Sequence, residues 1–140
     1  MTGRVAYLDS SAFVKLIVPE PESEALRQAL LRWSEFASAA LLRTEVIRAL
    51  RRSGNEAHVG KARRLMRGVN LIRLDELLLD RAADLAPTDL RSLDAVHLVA
   101  ASTIGDDLGV VYLYDTRLAR AAEALGMDVD SPGWHGGRIA

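Results

Sequence analysis

Four acidic side chains stand where a carboxylate has no routine place. Asp9 closes the apolar run Val5-Ala6-Tyr7-Leu8 and is followed by two serines. Glu45 falls early in the helix-like stretch LLRTEVIRAL, and Asp115 comes directly after Val110-Val111-Tyr112-Leu113-Tyr114, the strongest strand signal in the chain. Asp94 interrupts LRSLDAVHLVAA, where Leu90, Leu93, Asp94, His97, Leu98 and Ala101 recur at helical spacing and share one stripe. A carboxylate within such a stripe faces a core or a cleft, and leaving it unpaired there costs several kcal/mol. It must be neutralised by a proton, an arginine or a metal. Were all four to converge, their repulsion would raise one another's pKa, and a hard divalent cation would relieve it. With oxygen ligands and no cysteine, Mg²⁺ or Mn²⁺ fits best. Such a cation deprotonates a bound water and neutralises charge on a phosphodiester under attack.

Each acid also has an ordinary structural use. Asp9 and Asp115 could be helix N-caps, and Glu45 could pair with Arg48 on a helix surface. Asp94 resists such a reading best, because caps and surface pairs do not belong in mid-stripe.

Convergence depends on the elements that carry these residues. Val5 to Leu8 reads as a buried strand, with Ser10 or Ser11 capping a helix that Pro19 and Pro21 stop. Glu22 to Trp33 is helical, Glu35 to Ala39 a weak strand, and Leu41 to Arg52 a strong helix closed by Ser53-Gly54. Asn55 caps a helix through Arg67 with Gly68 as its C-cap. A strand over Val69 to Leu74, a helix over Glu76 to Ala86, and an apolar helix over Asp89 to Thr103 follow. After the Val110 strand come a helix over Thr116 to Leu125, an edge strand at Met127 to Val129, and a loose tail from Ser131. Short strands separated by helices indicate an α/β domain with a mostly parallel sheet between helix layers. In such sheets ligands bind at the carboxyl ends of the strands, where Asp9, Glu45 and Asp115 all fall.

The 140 residues match one ordinary domain, with 49% hydrophobic and 26% charged side chains. No run approaches the roughly 18 apolar residues of a membrane span, and no secretory signal opens the chain. The lack of cysteine excludes a disulfide framework, a zinc ribbon and a thiolate nucleophile, and fits the cytoplasm. The net charge of −1 hides a basic block: residues 41–67 carry eight basic side chains against Glu45 and Glu56. That block, with Arg43, Arg48, Arg51 and Arg52 nearest Glu45, suits either a polyanion or a solvated helical face.

The stretches YLDSSAFVKLIVPEPESE, LLRTEVIRAL, LRSLDAVHLVAA and VVYLYDTRLARAAEALGM resemble, in order and spacing, the four acidic motifs of PIN-domain ribonucleases, with the VapC-type toxins most similar. The resemblance runs from about Val5 to Met127. It implies a PIN-like α/β/α sandwich over residues 1–130 with a C-terminal tail at 131–140. It implies that Asp9, Glu45, Asp94 and Asp115 build a catalytic Mg²⁺ site, with Mn²⁺ as a substitute. Asp9 and Asp94 would be the most direct ligands, Glu45 and Asp115 would complete the site, and Ser11 would support Asp9. It further implies hydrolysis of RNA, often a tRNA or rRNA, a homodimer, and silencing by a VapB-like antitoxin. One departure is visible: relatives often carry a threonine or serine where this chain has Leu113.

Other readings fit less well. A haloacid-dehalogenase-like enzyme needs a second aspartate where Ser11 stands, and a response-regulator receiver needs a lysine after a late strand. The main alternative is a PIN-like module that binds RNA or protein without cutting. His97 is expected to pack or to support the site, Lys15 to snorkel, Tyr7 and Trp33 to fill the core, and Trp134 and His135 to fray or touch a partner.

Overall fold

Val5–Leu8 forms strand β1, whose Ala6, Tyr7 and Leu8 are all buried in a computed structural model that describes residues 3–135. Alternation along a strand sends Ala6 and Leu8 to one face and Tyr7 to the other, so β1 feeds two cores. Helix α1 is Ser10–Lys15, α2 is Ser23–Leu30, β2 is Glu35–Ala39, α3 is Leu42–Arg52 and α4 is Val59–Met66. Then come β3 at Asn70–Ile72, α5 at Glu76–Ala83, α6 at Ser92–Ser102, β4 at Leu108–Tyr112, α7 at Thr116–Ala124 and β5 at Val129–Asp130. The strands lie in the order β3-β2-β1-β4-β5, and all pairings are parallel. One core packs α5, α6 and α7 against Tyr7 and Val111, and the other packs α1 to α4 against Ala6 and Leu8. This is the expected helix–sheet–helix sandwich. The chain leaves β1 toward β2 on one side and reaches β4 on the other, so the carboxyl edge between β1 and β4 is a topological switch point.

Several boundaries differ from the sequence reading. Asp9, not Ser10 or Ser11, caps α1 by accepting the Ala12 N–H at 2.9 Å. Strand β4 begins and ends two residues early, because Leu8 pairs with Tyr112 and β1 has nothing further to offer. Leu113 and Tyr114 therefore lie beyond the strand, and Asp115 caps α7 through the Leu118 N–H at 2.9 Å. Helix α6 starts at Ser92 rather than Asp89, and α5 stops at Ala83. Gly68 has no positive φ, whereas Gly54 and Gly126 do. Strand β5 sits at Val129–Asp130, slightly later than expected.

The segment after β5 is not loose where it is described. Ser131 Oγ donates to the Leu113 carbonyl at 2.5 Å, and Tyr114 Oη donates to the Pro132 carbonyl at 2.9 Å. The rest of the expected tail, residues 136–140, lies outside the described residues. Tyr7 fills the core as expected, while Trp33 is only half-buried and donates its indole N–H to Tyr112 Oη at 2.9 Å.

Two glycines give opposite expectations. A Cβ on Gly109 would run into the ring of Trp33 and lie 3.1 Å from the Gly3 carbonyl oxygen. Gly109→Ala is expected to lower the unfolding free energy in urea by about 1–3 kcal/mol, the usual cost of overpacking. A Cβ on Gly60, inside α4, meets nothing nearer than an Arg64 nitrogen at 3.5 Å. Gly60→Ala is expected to stabilise by roughly 0.5–1 kcal/mol through helix propensity, measured in the same titration.

Candidate active site

The carboxyl edge of the sheet collects the four acids from four places. The turn from β1 into α1 supplies Asp9, the start of α3 supplies Glu45, the first turn of α6 supplies Asp94, and the N-cap of α7 supplies Asp115. All four line one cleft of about 670 Å³, together with Ser10, Ser11 and His97. Leu93, expected on the buried stripe, is instead 48% exposed at the rim of this cleft. From Ala95 to Ala101 every residue of the helix is buried, so on the cleft side only its first turn opens onto solvent.

Each carboxylate is held by a different donor. Asp9 is 5% exposed, and its Oδ1 accepts from both the Ala12 N–H and, at 2.7 Å, Ser11 Oγ. Ser11 Oγ in turn accepts the Tyr114 N–H at 3.2 Å, so one hydroxyl ties the end of β1 to the segment leading to Asp115. Glu45 Oε1 accepts from Ser10 Oγ and lies 2.7 Å from His97 Nε2. A carboxylate has no hydrogen to give, so Nε2 carries the proton of that bond. His97 Nδ1 lies 2.7 Å from Tyr7 Oη, whose proton it accepts in the neutral ring. The result is a buried Tyr7–His97–Glu45 chain. Arg91 bridges Asp94 at 3.3 Å and Asp115 at 3.4 Å.

These environments push the acids apart. Burial raises the pKa of Asp9, against the opposing pull of His97, Ser11 and the Ala12 amide. Burial likewise raises Asp94, which Arg91 opposes and the charge of Asp115 reinforces. Burial alone would raise Glu45 too, but the hydrogen bonds from His97 and Ser10 and the nearby imidazole together bring it below its ordinary range. Burial also keeps the Tyr7 phenol protonated, well above its ordinary pKa.

The donor set suits a hard cation: it consists of carboxylate oxygens, and the two whose pKa stands raised, Asp9 and Asp94, are those a cation would relieve. Among the described residues, no three His, Asp or Glu side chains already stand in a metal-binding group. The carboxylates are engaged with serine, histidine, arginine and amide donors instead.

The basic residues divide. Arg48 and Arg52 line the acidic cleft, whereas Arg43 lines a neighbouring cleft with Arg63 and Arg67. Arg51 points elsewhere and pairs with Glu56 at 3.0 Å. Lys15 does not snorkel: its Nζ is bound to Glu22 at 2.7 Å and Glu20 at 3.1 Å, and lies 4.6 Å from the centre of the Tyr114 ring. Leu113 is fully buried in the core and, as a leucine, offers Asp115 no hydroxyl. Ser10 and Arg91 escaped the sequence reading. Arg91 had a legible signal, its spacing of three residues before Asp94 on a helix start.

Comparison with known proteins agrees with this geometry. The PIN domain family model matches residues 6–124. The chain is 48% identical over 126 residues to Ribonuclease VapC46 of Mycobacterium tuberculosis, covering 90% of this chain and 96% of that one. Among solved structures, the sarcin-ricin loop cleaving toxin VapC20 of Mycobacterium tuberculosis superposes with a TM-score of 0.71 at 15% identity, over 83% of this chain and 94% of that chain. VapBC2 of Rickettsia felis, bound to a DNA fragment from its promoter, gives 0.70 at 9% identity, over 91% and 98%. These two structural likenesses speak for the fold.

The burial of Asp9 has a measurable consequence. With a chelator present, Asp9→Asn keeps an oxygen to accept the Ala12 N–H but removes a buried charge, and is expected to stabilise the fold by on the order of 1 kcal/mol. Because its folded pKa lies above the unfolded one, wild-type Asp9 binds more proton folded than unfolded in the window between them. The gap between mutant and wild type should therefore open as pH rises from the ordinary carboxylate range through that window, and close below it. Urea midpoints across acidic to neutral pH would show this.

Proposed function

The chain belongs to the PIN-domain family, and from that membership we propose that it is a Mg²⁺-dependent endoribonuclease, the toxin of a toxin–antitoxin pair. The observation that carries this reading is the convergence of four carboxylates from four separate elements on one cleft with Arg48 and Arg52 in its wall. The relative at 48% identity bears the name Ribonuclease VapC46, and coverage is nearly complete on both sides.

In this reading Asp9 and Asp94 hold the cation most directly, and Glu45 and Asp115 complete its surroundings. The cation supplies Lewis acidity, lowering the pKa of a water and offsetting charge on the phosphodiester. Glu45 has a distinct task. Its depressed pKa makes it a weak base, so it orients the attacking water by accepting a hydrogen bond rather than by storing the proton. His97 keeps Glu45 in place, and Tyr7 fixes the tautomer that lets His97 do so. Arg48 and Arg52 hold flanking phosphates. Arg91, with a side chain 73% exposed, would be free to turn toward the substrate if a bound cation took over the charge of Asp94 and Asp115.

The partners follow from the same family reading. A VapB-like antitoxin is supported by the VapBC2 complex among the structural neighbours, and the RNA target by the sarcin-ricin loop cleaving neighbour. We also assign a homodimer and a cytoplasmic location. No helix among the described residues is long and apolar enough to cross a membrane. The non-catalytic alternative gains nothing from four acids gathered against their own repulsion.

The deciding experiment incubates the protein with total bacterial RNA and Mg²⁺ and sequences new 5′ ends. Asp94→Asn is expected to lose more than ~100-fold in cleavage with an unchanged circular dichroism spectrum, and His97→Gln about 10–100-fold, the range for a group that supports a ligand. Mg²⁺ at 100 times its dissociation constant should stabilise the wild type by about 2.7 kcal/mol, and Asp94→Asn by much less. Wild-type cleavage by Asp94→Asn, or equal Mg²⁺ stabilisation of both, would refute the site.

A further inference from the structure

Beside the acidic cleft lies a larger cavity, about 970 Å³, which shares Arg91, Tyr114 and Asp115 with it. Its far side is made by Arg117 and Arg120 of α7 and by Trp134. The stretch from residue 68 to the end carries only six basic side chains against twelve acidic ones, yet three of those six line this cavity. Arg91 is matched by Asp94 and Asp115. Arg117 and Arg120 are exposed, stand three residues apart on one helix, and make no ion pair among the described residues. Asp89 also lines the cavity, so its cationic character is concentrated on the α7 wall.

The position of Trp134 is built. The chain after β5 is fastened to the body by Ser131 Oγ on the Leu113 carbonyl at 2.5 Å and by Tyr114 Oη on the Pro132 carbonyl at 2.9 Å. Gly133 then turns with a φ of 76°, so close to α2 that a Cβ there would stand 2.9 Å from the Ala25 methyl. Both the left-handed backbone and the close approach require glycine. The Trp134 N–H closes this turn on the Ser131 carbonyl at 3.1 Å. The indole packs edge-on to the Tyr114 ring, with centroids 6.0 Å apart at 71°, and Tyr114 is itself fixed beneath the Lys15 ammonium. The outcome is a half-buried indole held against a cavity that it lines together with the guanidinium groups of Arg117 and Arg120 and the carboxylate of Asp115. A fixed aromatic face beside unpaired arginines is the combination that binds an unstacked nucleotide: the base stacks, and the phosphates pair.

We propose that this cavity is a nucleotide subsite for single-stranded RNA next to the scissile phosphate, in which one base stacks on Trp134 while Arg117 and Arg120 hold adjoining phosphates. The proposal rests on the ribonuclease reading and adds to it where the strand lies: it leaves the acidic cleft along α7. The stack accepts any base, so this subsite selects for unpaired nucleotides rather than for sequence.

The test uses the full chain in the Asp94→Asn background, so that RNA survives, and a labelled mixed-sequence oligoribonucleotide followed by anisotropy. Adding Trp134→Leu is expected to weaken binding by about 5- to 100-fold, the range of one lost stack, while Trp134→Phe keeps most of the affinity. An oligomer of the same length without bases should bind the Trp134 and Leu forms alike, and RNA should quench indole fluorescence only when Trp134 is present. The double variant Arg117→Gln, Arg120→Gln should reduce the slope of log affinity against log salt by about 1.4, two phosphates on a single strand. Equal RNA affinity with and without Trp134, in a protein that binds RNA and whose wild type cleaves it, overturns the subsite and leaves the ribonuclease standing. Equal competition by a polyglutamate peptide would show that the cavity reads charge rather than bases, and overturns the subsite too. Absence of RNA binding together with absence of wild-type cleavage overturns both.

Discussion

Carboxylates that must sit together repel one another, and the active edge of this protein is organised around holding them in place despite that. Each is restrained by a donor that the fold fixes independently. A helix N-terminus and Ser11 hold Asp9, Ser10 and His97 hold Glu45, and Arg91 spans Asp94 and Asp115. The donors differ in permanence. The Ala12 amide belongs to the backbone of α1, and His97 is 3% exposed in a packed helix. Arg91 lies on the surface, where an ion pair contributes at most about 1 kcal/mol. Asp115 is also fixed by the Leu118 N–H of α7, so the site is held firmly at Asp9, Glu45 and Asp115 and is most adjustable at Asp94, whose partner is the exposed Arg91.

That asymmetry gives the acids separate characters. Asp9 and Asp94 ionise against the resistance of burial, so a cation has most to gain from them. Glu45 ionises readily because its donors are already in place. Two kinds of carboxylate, set apart by surroundings rather than by residue type, allow one group to bind charge and another to orient water. The central strand makes the arrangement possible. Tyr7 points from β1 to the α6 side to engage His97, while Leu8 and Asp9 end the same strand at the site. Three consecutive residues therefore serve the supporting chain, the core and the acidic cleft.

What the sequence made legible were features encoded within a few residues. The apolar run before Asp9 and the Glu45 helix read correctly, as did the sheet with helices on both faces, whereas Asp94 lies in the first turn of α6 beside the exposed Leu93 and pairs with the surface Arg91 rather than standing within a buried stripe. The stripe Glu45, Arg48, Arg52, spaced by three and four, reaches the cleft, and Arg51, off that stripe, does not. Features that depend on distant partners were hidden. The end of β4 is fixed by the length of β1, although apolar residues continue past it. The bond from the Tyr114 N–H to Ser11 spans 103 residues, and the anchoring of Ser131 depends on a carbonyl 18 residues earlier. Ser131 to Trp134 therefore read as a Gly-rich tail, since nothing local announces the contacts that fasten it.

The distribution of charge bears on how a strand of RNA would be received. Arg48 and Arg52 stand on one side of the acids and Arg117 and Arg120 on the other, so the surface is positive, negative and positive in turn. A polyanion laid across it gains at both rims and is repelled in the middle. In the proposed reading, a cation held by Asp9 and Asp94 would offset that repulsion. Linkage makes this reciprocal: whatever factor the cation adds to RNA affinity, RNA adds to cation affinity.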